Sequence, residues 1–151
     1  MGKLLDGQIA LVTGSSSGIG AAIAVAFGEA GATVVVNHHS DKSLKGAEEV
    51  LAKIKAAGSD GFVQQCDISK EDEVKKMYAE IFSRFGTVDI VVANAGIQQD
   101  ANLFDMTLEQ WNTVINTNLT GQFLCAREAA REFRRRGVVE GRSKAAGRSS
   151  V

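Results

Sequence analysis

Four short apolar runs rich in β-branched residues alternate along the chain with longer stretches of helical periodicity. The runs predict strands at 8–13, 33–37, 61–66 and 88–93, and the third run carries the weakest pattern. The stretches between them predict helices at 19–30, 41–57 and 70–85. Each helix is followed by a glycine that tolerates the left-handed conformation of a helix end, namely Gly31, Gly58 and Gly86. The order β-α-β-α-β-α-β predicts an α/β fold, a doubly wound parallel sheet with helices on both faces.

A further helix is predicted beyond the fourth strand. The segment Thr107-Leu108-Glu109-Gln110 has the spacing of a capping box, and we expect the helix to run to about Arg136. The composition then changes, because residues 131–151 hold seven basic and two acidic side chains and few apolar ones. We therefore expect one folded domain over 1–136 and a polar, basic, disordered tail over 137–151.

Composition and charge exclude several classes of protein. The chain has 151 residues, is 44% hydrophobic and carries a formal charge of -1, so it can build one core but offers no overall basic field. We therefore expect no nucleic-acid partner. The longest clean apolar stretch, 21–27, is far shorter than the roughly 20 residues that span a bilayer. Cys66 and Cys125 match neither zinc nor disulfide spacing and are predicted to be buried thiols, which favours a cytoplasmic protein.

A glycine-rich loop follows the first predicted strand directly. Its sequence is Thr13-Gly14-Ser15-Ser16-Ser17-Gly18-Ile19-Gly20, and the first helix opens inside it. This arrangement turns backbone amides and a helix N-terminus toward a pyrophosphate, so it predicts dinucleotide binding rather than a plain flexible turn. Gly14 permits the tight turn, Gly18 the approach to the phosphates, and Gly20 the packing of helix on strand. The spacing G-x-x-x-G-x-G differs from the ordinary G-x-G-x-x-G, and no lysine follows as in a P-loop.

Four motifs in order resemble those of the short-chain dehydrogenase/reductase family. The glycine loop is the first, and the others are Cys66-Asp67-Ile68, Asn94-Ala95-Gly96 and Asn116-Thr117-Asn118-Leu119-Thr120-Gly121. The resemblance covers about residues 5–137, and 96–138 is most similar to bacterial glucose 1-dehydrogenases. It implies a Rossmann-like fold with strand order 3-2-1-4 and NAD(P)-dependent hydride transfer to or from a sugar or other secondary alcohol. This chain would be the cofactor-binding half, truncated after the long helix, of a family whose complete fold forms homo-oligomers.

The resemblance also implies roles for individual residues. Asp67 would accept a hydrogen bond from the adenine amino group, although it could equally cap the turn at Ser69-Lys70. Asn94 and Gly96 would support the loop beside the nucleotide sugar, and Thr13 would brace the loop rather than bind the ligand. The full set of predicted cofactor-binding residues is Gly14, Ser16, Ser17, Gly18, Ile19, Gly20, Asn37, His38, His39, Ser40, Asp67, Ile68, Asn94, Ala95 and Gly96.

The end of the second strand decides between NAD and NADP. An acidic residue there would bind the ribose 2′-hydroxyl, whereas Arg or Lys would favour a 2′-phosphate. This chain has Asn37-His38-His39-Ser40, with no carboxylate and no strong cation, so it suits NADP or dual use slightly better than strict NAD. Neighbouring histidines on a strand point to opposite faces, so we expect solvated loop histidines and no metal site.

The catalytic residues of the family are largely missing. Relatives use a Tyr as general acid/base, a Lys four residues later that lowers the pKa of that Tyr, and a Ser that orients the substrate. The single tyrosine, Tyr78, lies in a predicted helix with Phe82 four residues on, so it is interpreted as an ordinary amphipathic position. Asn118 matches the active-site Asn of the family. Ser149-Ser150-Val151 resembles the end of a fifth strand, which would make Ser150 the catalytic Ser, although a serine in a polar tail is the stronger interpretation.

Three functional hypotheses follow. The chain is the cofactor-binding half of a dehydrogenase, a non-catalytic dinucleotide-binding module, or an interaction fragment that uses its long helix and basic tail. In the order 3-2-1-4 the fourth strand would be an uncovered apolar edge, and the helix around 111–133 resembles one that mediates dimerisation in the family. We therefore expect the isolated chain to self-associate or to be partly unfolded.

Overall fold

The computed structural model describes residues 2–140, and the backbone alone of 148–150. Its strands are β1 Ile9–Val12, β2 Thr33–His38, β3 Gly61–Gln65, β4 Ile90–Val92 and β5 Arg148–Ser150. Its α-helices are α1 Gly18–Glu29, α2 Leu44–Ala56, α3 Glu71–Phe85, α4 Leu108–Ile115 and α5 Gln122–Arg136. A 3₁₀ turn, Asp41–Ser43, precedes α2, and a π-helical segment, Asn116–Gly121, joins α4 to α5. The predicted alternation of strands and helices is confirmed.

The strands form one parallel sheet in the order β3-β2-β1-β4-β5. β1 lies at its centre, with Ala10 opposite Val34 of β2 on one side and opposite Ile90 of β4 on the other. The chain therefore moves outward in one direction through β2 and β3, and then crosses back to β4 beyond β1. The predicted order 3-2-1-4 is confirmed.

Alternating side chains of the sheet form two apolar layers. Ile9 and Leu11 pack on one face beneath α3 and α5, while Ala10 and Val12 pack on the other beneath α1 and α2. All four β1 residues are buried, as expected for a strand covered on both faces. The glycines predicted to end the first three helices have positive φ angles of 98° at Gly31, 86° at Gly58 and 77° at Gly86.

The sheet has one strand more than the sequence predicts. Arg148–Ser150 pairs in parallel with β4, so β4 is not an uncovered edge, and these three tail residues are not structureless. The physical reason is that strand pairing uses backbone groups, so a polar Arg-Ser-Ser segment can satisfy the free edge of an apolar strand. Residues 137–140 belong to no helix or strand, and the predicted tail at 141–147 lies outside the described residues.

The long predicted helix over 107–136 is interrupted. Its N-terminal capping box is present, with Gln110 N donating to Thr107 Oγ1 at 3.1 Å, but six residues of π-helix separate α4 from α5. At Gly121, where this segment ends, a Cβ atom would overlap Ile68, so the close contact requires glycine. Within the described residues no helix is both long and apolar enough to cross a membrane.

Candidate cofactor site

The carboxyl ends of β1, β2 and β4 surround a cavity of about 740 Å³. The chain turns to opposite sides of the sheet after β1 and β4, and open α/β sheets bind ligands at such a crevice. Five stretches of chain line it: the glycine loop, the end of β2 with the turn that follows, residues 66–69 after β3, residues 94–97 after β4, and residues at 113–117 where α4 meets the π-helical segment. The cavity therefore brings together residues that are far apart in the sequence.

The glycine loop adopts backbone conformations that other residues rarely reach. Gly14 and Gly18 have φ angles of 62° and 57°. A Cβ at Gly14 would lie 2.7 Å from Cα of Ala95, and one at Gly20 would overlap the Gly14 carbonyl oxygen and the Asn94 amide. Gly20 therefore permits close packing of α1 on the loop and on the segment after β4.

The N-terminus of α1 fits an anionic group. Ser17 occupies the N-cap position in an extended conformation, and its side chain makes no capping hydrogen bond. The first turn of α1 contains no acidic residue, so no side chain of this helix neutralises its positive end. Gly18 leaves open space where a Cβ would stand, and Ser16 and Ser17 line the cavity. The residues present therefore fit the pyrophosphate of a dinucleotide.

Buried side chains behind the loop hold its shape. Gly14 N donates to Oδ1 of Asn37 at 2.9 Å, and Asn37 N donates to Oγ of Ser15 at 3.0 Å. The Asn37 side-chain amide also donates to the carbonyls of His38, Gln64 and Cys66, each at 3.2 Å. Asn37, predicted as a cofactor-binding residue, lines the cavity but is 1% exposed and acts mainly as a brace between loop and sheet.

Thr13 braces the loop from the other side, as predicted. Its fully buried hydroxyl accepts hydrogen bonds from the backbone N–H groups of Asn94 at 3.0 Å and Ala95 at 3.1 Å. Asn94 Nδ2 in turn donates to the Thr13 carbonyl at 3.1 Å and to the Gly14 carbonyl at 3.2 Å. The segment containing Asn94, Ala95 and Gly96 is thereby fixed against the glycine loop.

Asp67 lies on the cavity wall between β3 and α3, beside buried Ile68. Its Oδ1 accepts hydrogen bonds from Ser69 N at 3.0 Å and Ser69 Oγ at 2.7 Å, so it does cap the turn. Lys70 Nζ stands 3.8 Å from Oδ2, and hydrogen bonding to Glu73 raises the pKa of Lys70. These contacts hold the turn in place, and Asp67 is part of the cavity wall.

The two histidines after Asn37 have different environments. His38 is 3% exposed, and its Nδ1 lies 2.9 Å from the Ser40 carbonyl oxygen, so the expectation of two solvated loop histidines is wrong for His38. It is the last residue of β2 rather than part of a loop, and packing against β3 buries it. His39 is exposed at the cavity rim. No group of three or more potential metal ligands occurs among the described residues.

Asn118 lies in the π-helical segment and joins it to the chain after β4. Its Oδ1 accepts from Ile97 N and its Nδ2 donates to the Ile97 carbonyl, both at 2.8 Å. Gln122 donates from Nε2 to the Ala95 carbonyl at 2.8 Å. Both amides thus fix the segment that forms the far wall of the cavity.

Ser150 is the remaining catalytic candidate from the sequence. The backbone of Ser150 pairs with Val92 at the carboxyl end of β4, whereas its side chain lies outside what the structure describes.

Tyr78 is 1% exposed, and its hydroxyl donates to the Cys125 carbonyl at 2.8 Å, as expected for a structural residue. Burial raises the pKa of Tyr78 well above its usual value, and raises the pKa of the Cys66 and Cys125 thiols to about 12. Both cysteines are free and buried, as predicted.

Three residues that support the site were not identified from the sequence. Ser15 and Gln122 act through hydrogen bonds to distant backbone, which no local pattern reveals. Gly46 lies inside α2, where a Cβ would stand 2.5 Å from the Ser16 carbonyl oxygen. A glycine in a helix interior is costly relative to alanine, so its presence was an available signal of close packing.

Comparisons with known proteins agree with this geometry. The sequence profile of short chain dehydrogenases matches residues 8–145. Versicolorin reductase 1 of Aspergillus parasiticus is 47% identical over 135 residues, which are 89% of this chain and 51% of that protein. The 3-oxoacyl-[acyl-carrier-protein] reductase FabG of Staphylococcus epidermidis is 44% identical over 126 residues, which are 83% of this chain and 51% of that protein.

Solved structures of short chain dehydrogenases also superpose on this chain. A short chain dehydrogenase from Burkholderia cenocepacia J2315, solved in complex with NADP, superposes with a TM-score of 0.81 at 36% identity. The match covers 85% of this chain and 52% of that one. A short-chain type dehydrogenase/reductase from Mycobacterium marinum superposes with a TM-score of 0.80 at 38% identity. That match covers 85% of this chain and 51% of the other. The chain spans about half the length of the relatives it matches, and it belongs to the short chain dehydrogenase family.

Proposed function

We propose that this chain provides the NAD(P)-binding half of an oxidoreductase that transfers hydride to or from a carbon bearing a secondary hydroxyl or the corresponding ketone. The observation that carries the proposal is the uncapped N-terminus of α1, which opens beside Gly14 and Gly18 onto a cavity of about 740 Å³. When bound, the nicotinamide of the cofactor would supply or accept the hydride.

The residues of this chain would bind and orient the cofactor. Backbone amides at Gly18 and Ile19 would face the pyrophosphate, because α1 begins there without a side-chain cap. Asp67 would accept a hydrogen bond from the adenine on the β3 side. Gly96 and Asn94 would border the sugar on the β4 side, where Asn118 holds the neighbouring Ile97 backbone. Asn118 and Ser150 are the candidates for the catalytic end of the site.

The names of the relatives indicate only a broad class of substrate. Versicolorin reductase 1 and FabG are named as reductases, which supports carbonyl reduction as the direction of hydride transfer. A sugar substrate, suggested by the resemblance to glucose 1-dehydrogenases, receives no specific support from these two relatives. We keep a secondary alcohol or ketone as the substrate class.

A second candidate function is a dinucleotide-binding module without hydride transfer. It is favoured by the position of Tyr78, the single tyrosine of the sequence, which is buried in the core against Cys125 rather than exposed at the cavity. With that hydroxyl used in packing, the 151 residues contain no phenol placed to act as general acid or base. This hypothesis assigns the same cofactor-binding residues as the first and differs only in that no hydride is transferred.

Calorimetric titration of the purified chain with NADP⁺ and with NAD⁺ tests the binding proposal. We expect saturable binding at one site per chain. The variant Gly20→Ala should abolish this heat, because its Cβ would displace the Gly14 carbonyl and Asn94. Ala22→Ser, on the exposed side of α1, is the matched control and should bind like the parent chain.

Absence of heat with both cofactors, from a chain shown to be folded by circular dichroism, would contradict the proposal. Equal binding by the Gly20→Ala variant would show that the ligand occupies another site. Reduction of a ketone by NADPH or NADH, followed as the loss of absorbance at 340 nm, separates the two candidate functions: turnover by this chain would exclude the non-catalytic module.

A further inference from the structure

The turn between β3 and α3 places one carboxylate, that of Asp67, on the wall of the cavity. Its Oδ1 accepts hydrogen bonds from Ser69 N at 3.0 Å and from Ser69 Oγ at 2.7 Å. Because both of these bonds go to one oxygen, Oδ2 keeps its capacity to accept a hydrogen bond from a ligand. Lys70 Nζ stands 3.8 Å from Oδ2, beyond ordinary hydrogen-bond length but close enough to compete for it. Recognition of a donor group by Asp67 therefore depends on where the Lys70 ammonium group is held.

Glu73, in the first turn of α3, makes two contacts at this turn. Its Oε2 accepts a hydrogen bond from the backbone N–H of Asp67 at 2.7 Å, and its Oε1 lies 3.3 Å from Lys70 Nζ. Lys70 is thus nearer to Glu73 than to Asp67, and hydrogen bonding to Glu73 is the main cause that raises the pKa of Lys70. One carboxylate therefore fixes the main chain of Asp67 and also holds the neighbouring ammonium group.

The contact with Asp67 goes beyond ordinary helix capping. Acidic side chains in the first turn stabilise the positive end of a helix, and α3 has three of them, Glu71, Asp72 and Glu73. In a capping box, the residue at the position of Glu73 accepts from the backbone N–H of the N-cap residue, which here is Lys70. The Lys70 N–H instead donates to the Asp67 carbonyl at 3.0 Å, and Glu73 reaches past it to the Asp67 N–H. Glu73 therefore acts on the residue of the cavity wall rather than on the end of its own helix.

Loss of the Glu73 carboxylate would release both groups that it holds. The ammonium group of Lys70 would then keep one carboxylate oxygen within 4 Å among the described residues, Oδ2 of Asp67. The Lys70 side chain is 63% exposed, so it is free to move toward that oxygen. An ammonium group on Oδ2 would occupy the acceptor and offset the charge that strengthens a hydrogen bond from a ligand.

We propose that Glu73 is a positioning residue for adenine recognition, because it holds the backbone of Asp67 and keeps Lys70 away from Oδ2. The inference rests on the proposed function, in which Asp67 accepts a hydrogen bond from the adenine amino group, and it extends that site to a residue outside the cavity lining. Glu73 thereby governs the selectivity for the base of the dinucleotide, rather than the affinity for the dinucleotide as a whole.

Calorimetric titration of the full chain with NAD⁺ and with nicotinamide hypoxanthine dinucleotide tests this inference. In the analogue a carbonyl oxygen replaces the adenine amino group, so the two ligands differ in the group that Asp67 would meet. We expect the parent chain to bind NAD⁺ more tightly than the analogue by about tenfold or more, as for a hydrogen bond to a charged group. Glu73→Gln keeps an acceptor for the Asp67 N–H but loses the charge that holds Lys70, so the preference should fall to about threefold or less.

A second substitution separates the effect on Lys70 from a general loss of structure. Adding Lys70→Met to Glu73→Gln removes the competing ammonium group and should restore the preference for NAD⁺. Asp72→Asn is the matched control, because it removes one exposed carboxylate from the same turn of α3, and it should keep the preference of the parent chain. A purely structural role of Glu73 would weaken the binding of both ligands by the same factor and leave their ratio unchanged.

The outcomes separate this inference from the proposed function. If Glu73→Gln keeps the parent preference, or if adding Lys70→Met does not restore it, Glu73 does not act on Asp67 in this way, although the cofactor site stands. If the parent chain binds both ligands equally, Asp67 does not meet the amino group and the inference is wrong, while dinucleotide binding is retained. If neither ligand binds to a chain shown to be folded by circular dichroism, the proposed function fails and the inference fails with it.

Discussion

Three buried polar side chains, Thr13, Ser15 and Asn37, hold the backbone around the candidate cofactor site through hydrogen bonds. Thr13 and Asn37 are 0% and 1% exposed, and each satisfies backbone groups of the loops on either side of β1. Irregular backbone at the carboxyl ends of strands leaves N–H and C=O groups without ladder partners, and burying them unpaired is costly. These side chains supply the missing partners and so fix the loop before any ligand arrives.

The substitution Thr13→Val tests this bracing role. It keeps the shape of the side chain but removes the acceptor for Asn94 N and Ala95 N. Asn94 N keeps the Val92 carbonyl at 3.1 Å, whereas the Ala95 N–H loses its partner. We expect the free energy of unfolding to fall by about 2 kcal/mol and the affinity for NADP⁺ to fall with it. Urea denaturation and calorimetric titration measure the two effects.

Thr113→Val is the matched control for the stability part of this prediction. The Thr113 hydroxyl donates to the Glu109 carbonyl within its own helix, at 2.8 Å. Loss of this hydroxyl should change the free energy of unfolding by less than about 0.5 kcal/mol. If both valine variants prove equally stable, the hydroxyl of Thr13 does not hold the loop.

Among the secondary-structure elements, the π-helical segment decides the geometry of the far wall. It turns the chain between α4 and α5, places Asn118 against Ile97, and ends at Gly121 in contact with Ile68. The other end of α5 is anchored by a buried ion pair, Arg136 with Asp89, whose oxygen and nitrogen atoms are 2.6 Å apart. Held at both ends, α5 fixes the wall of the site to the sheet.

The Tyr78 hydroxyl links α3 to this same helix, and Tyr78→Phe tests what the link contributes. The variant removes a buried donor and leaves the Cys125 carbonyl with one partner fewer, so the free energy of unfolding should fall by about 1 kcal/mol. Cofactor affinity should not change, because Tyr78 lies in the core and does not line the cavity. A large loss of NADP⁺ binding from a stably folded variant would assign Tyr78 a role in the site.

At the scale of the whole molecule, the chain leaves much apolar surface uncovered. Between positions 103 and 111, Leu103 is 86% exposed, Phe104 96%, Leu108 73% and Trp111 56%. Leu119 and Phe123 add further exposed apolar side chains close by in the sequence. Apolar patches of this kind favour association between molecules.

We therefore retain the prediction that the isolated chain self-associates, although β5 covers the edge of β4. Sedimentation velocity over a range of micromolar concentrations should show species larger than the monomer, and Phe104→Asp should shift the distribution toward monomer. Leu4→Asp is the control, because Leu4 is also 87% exposed but far from this patch in the sequence. A single monomeric species at all concentrations, with two-state melting, would contradict the prediction.

The sequence by itself determined the order of the elements and the location of the glycine loop. Both are local properties: β-branched runs specify buried strands, helical periodicity specifies the faces of α1 to α3, and glycines mark the turns that other residues cannot make. The strand order was predicted from the family resemblance of the four motifs, and the buried thiols from the spacing of Cys66 and Cys125. The motifs around Gly14, Asp67 and Asn94 also fall on one cavity, because parallel strands bring their carboxyl ends to one edge of the sheet.

Tertiary structure alone decided how individual side chains are used. Asn37 and His38 occupy predicted cofactor positions, yet both are buried, and Asn37 acts as a brace between loop and sheet. Of the two neighbouring histidines, only His39 is exposed. The strand β5 forms from polar residues because the free edge of β4 offers backbone partners, and the π-helical segment breaks a continuous helical pattern to bring Asn118 to Ile97. These outcomes depend on contacts between distant parts of the chain, whose free energies no local pattern records.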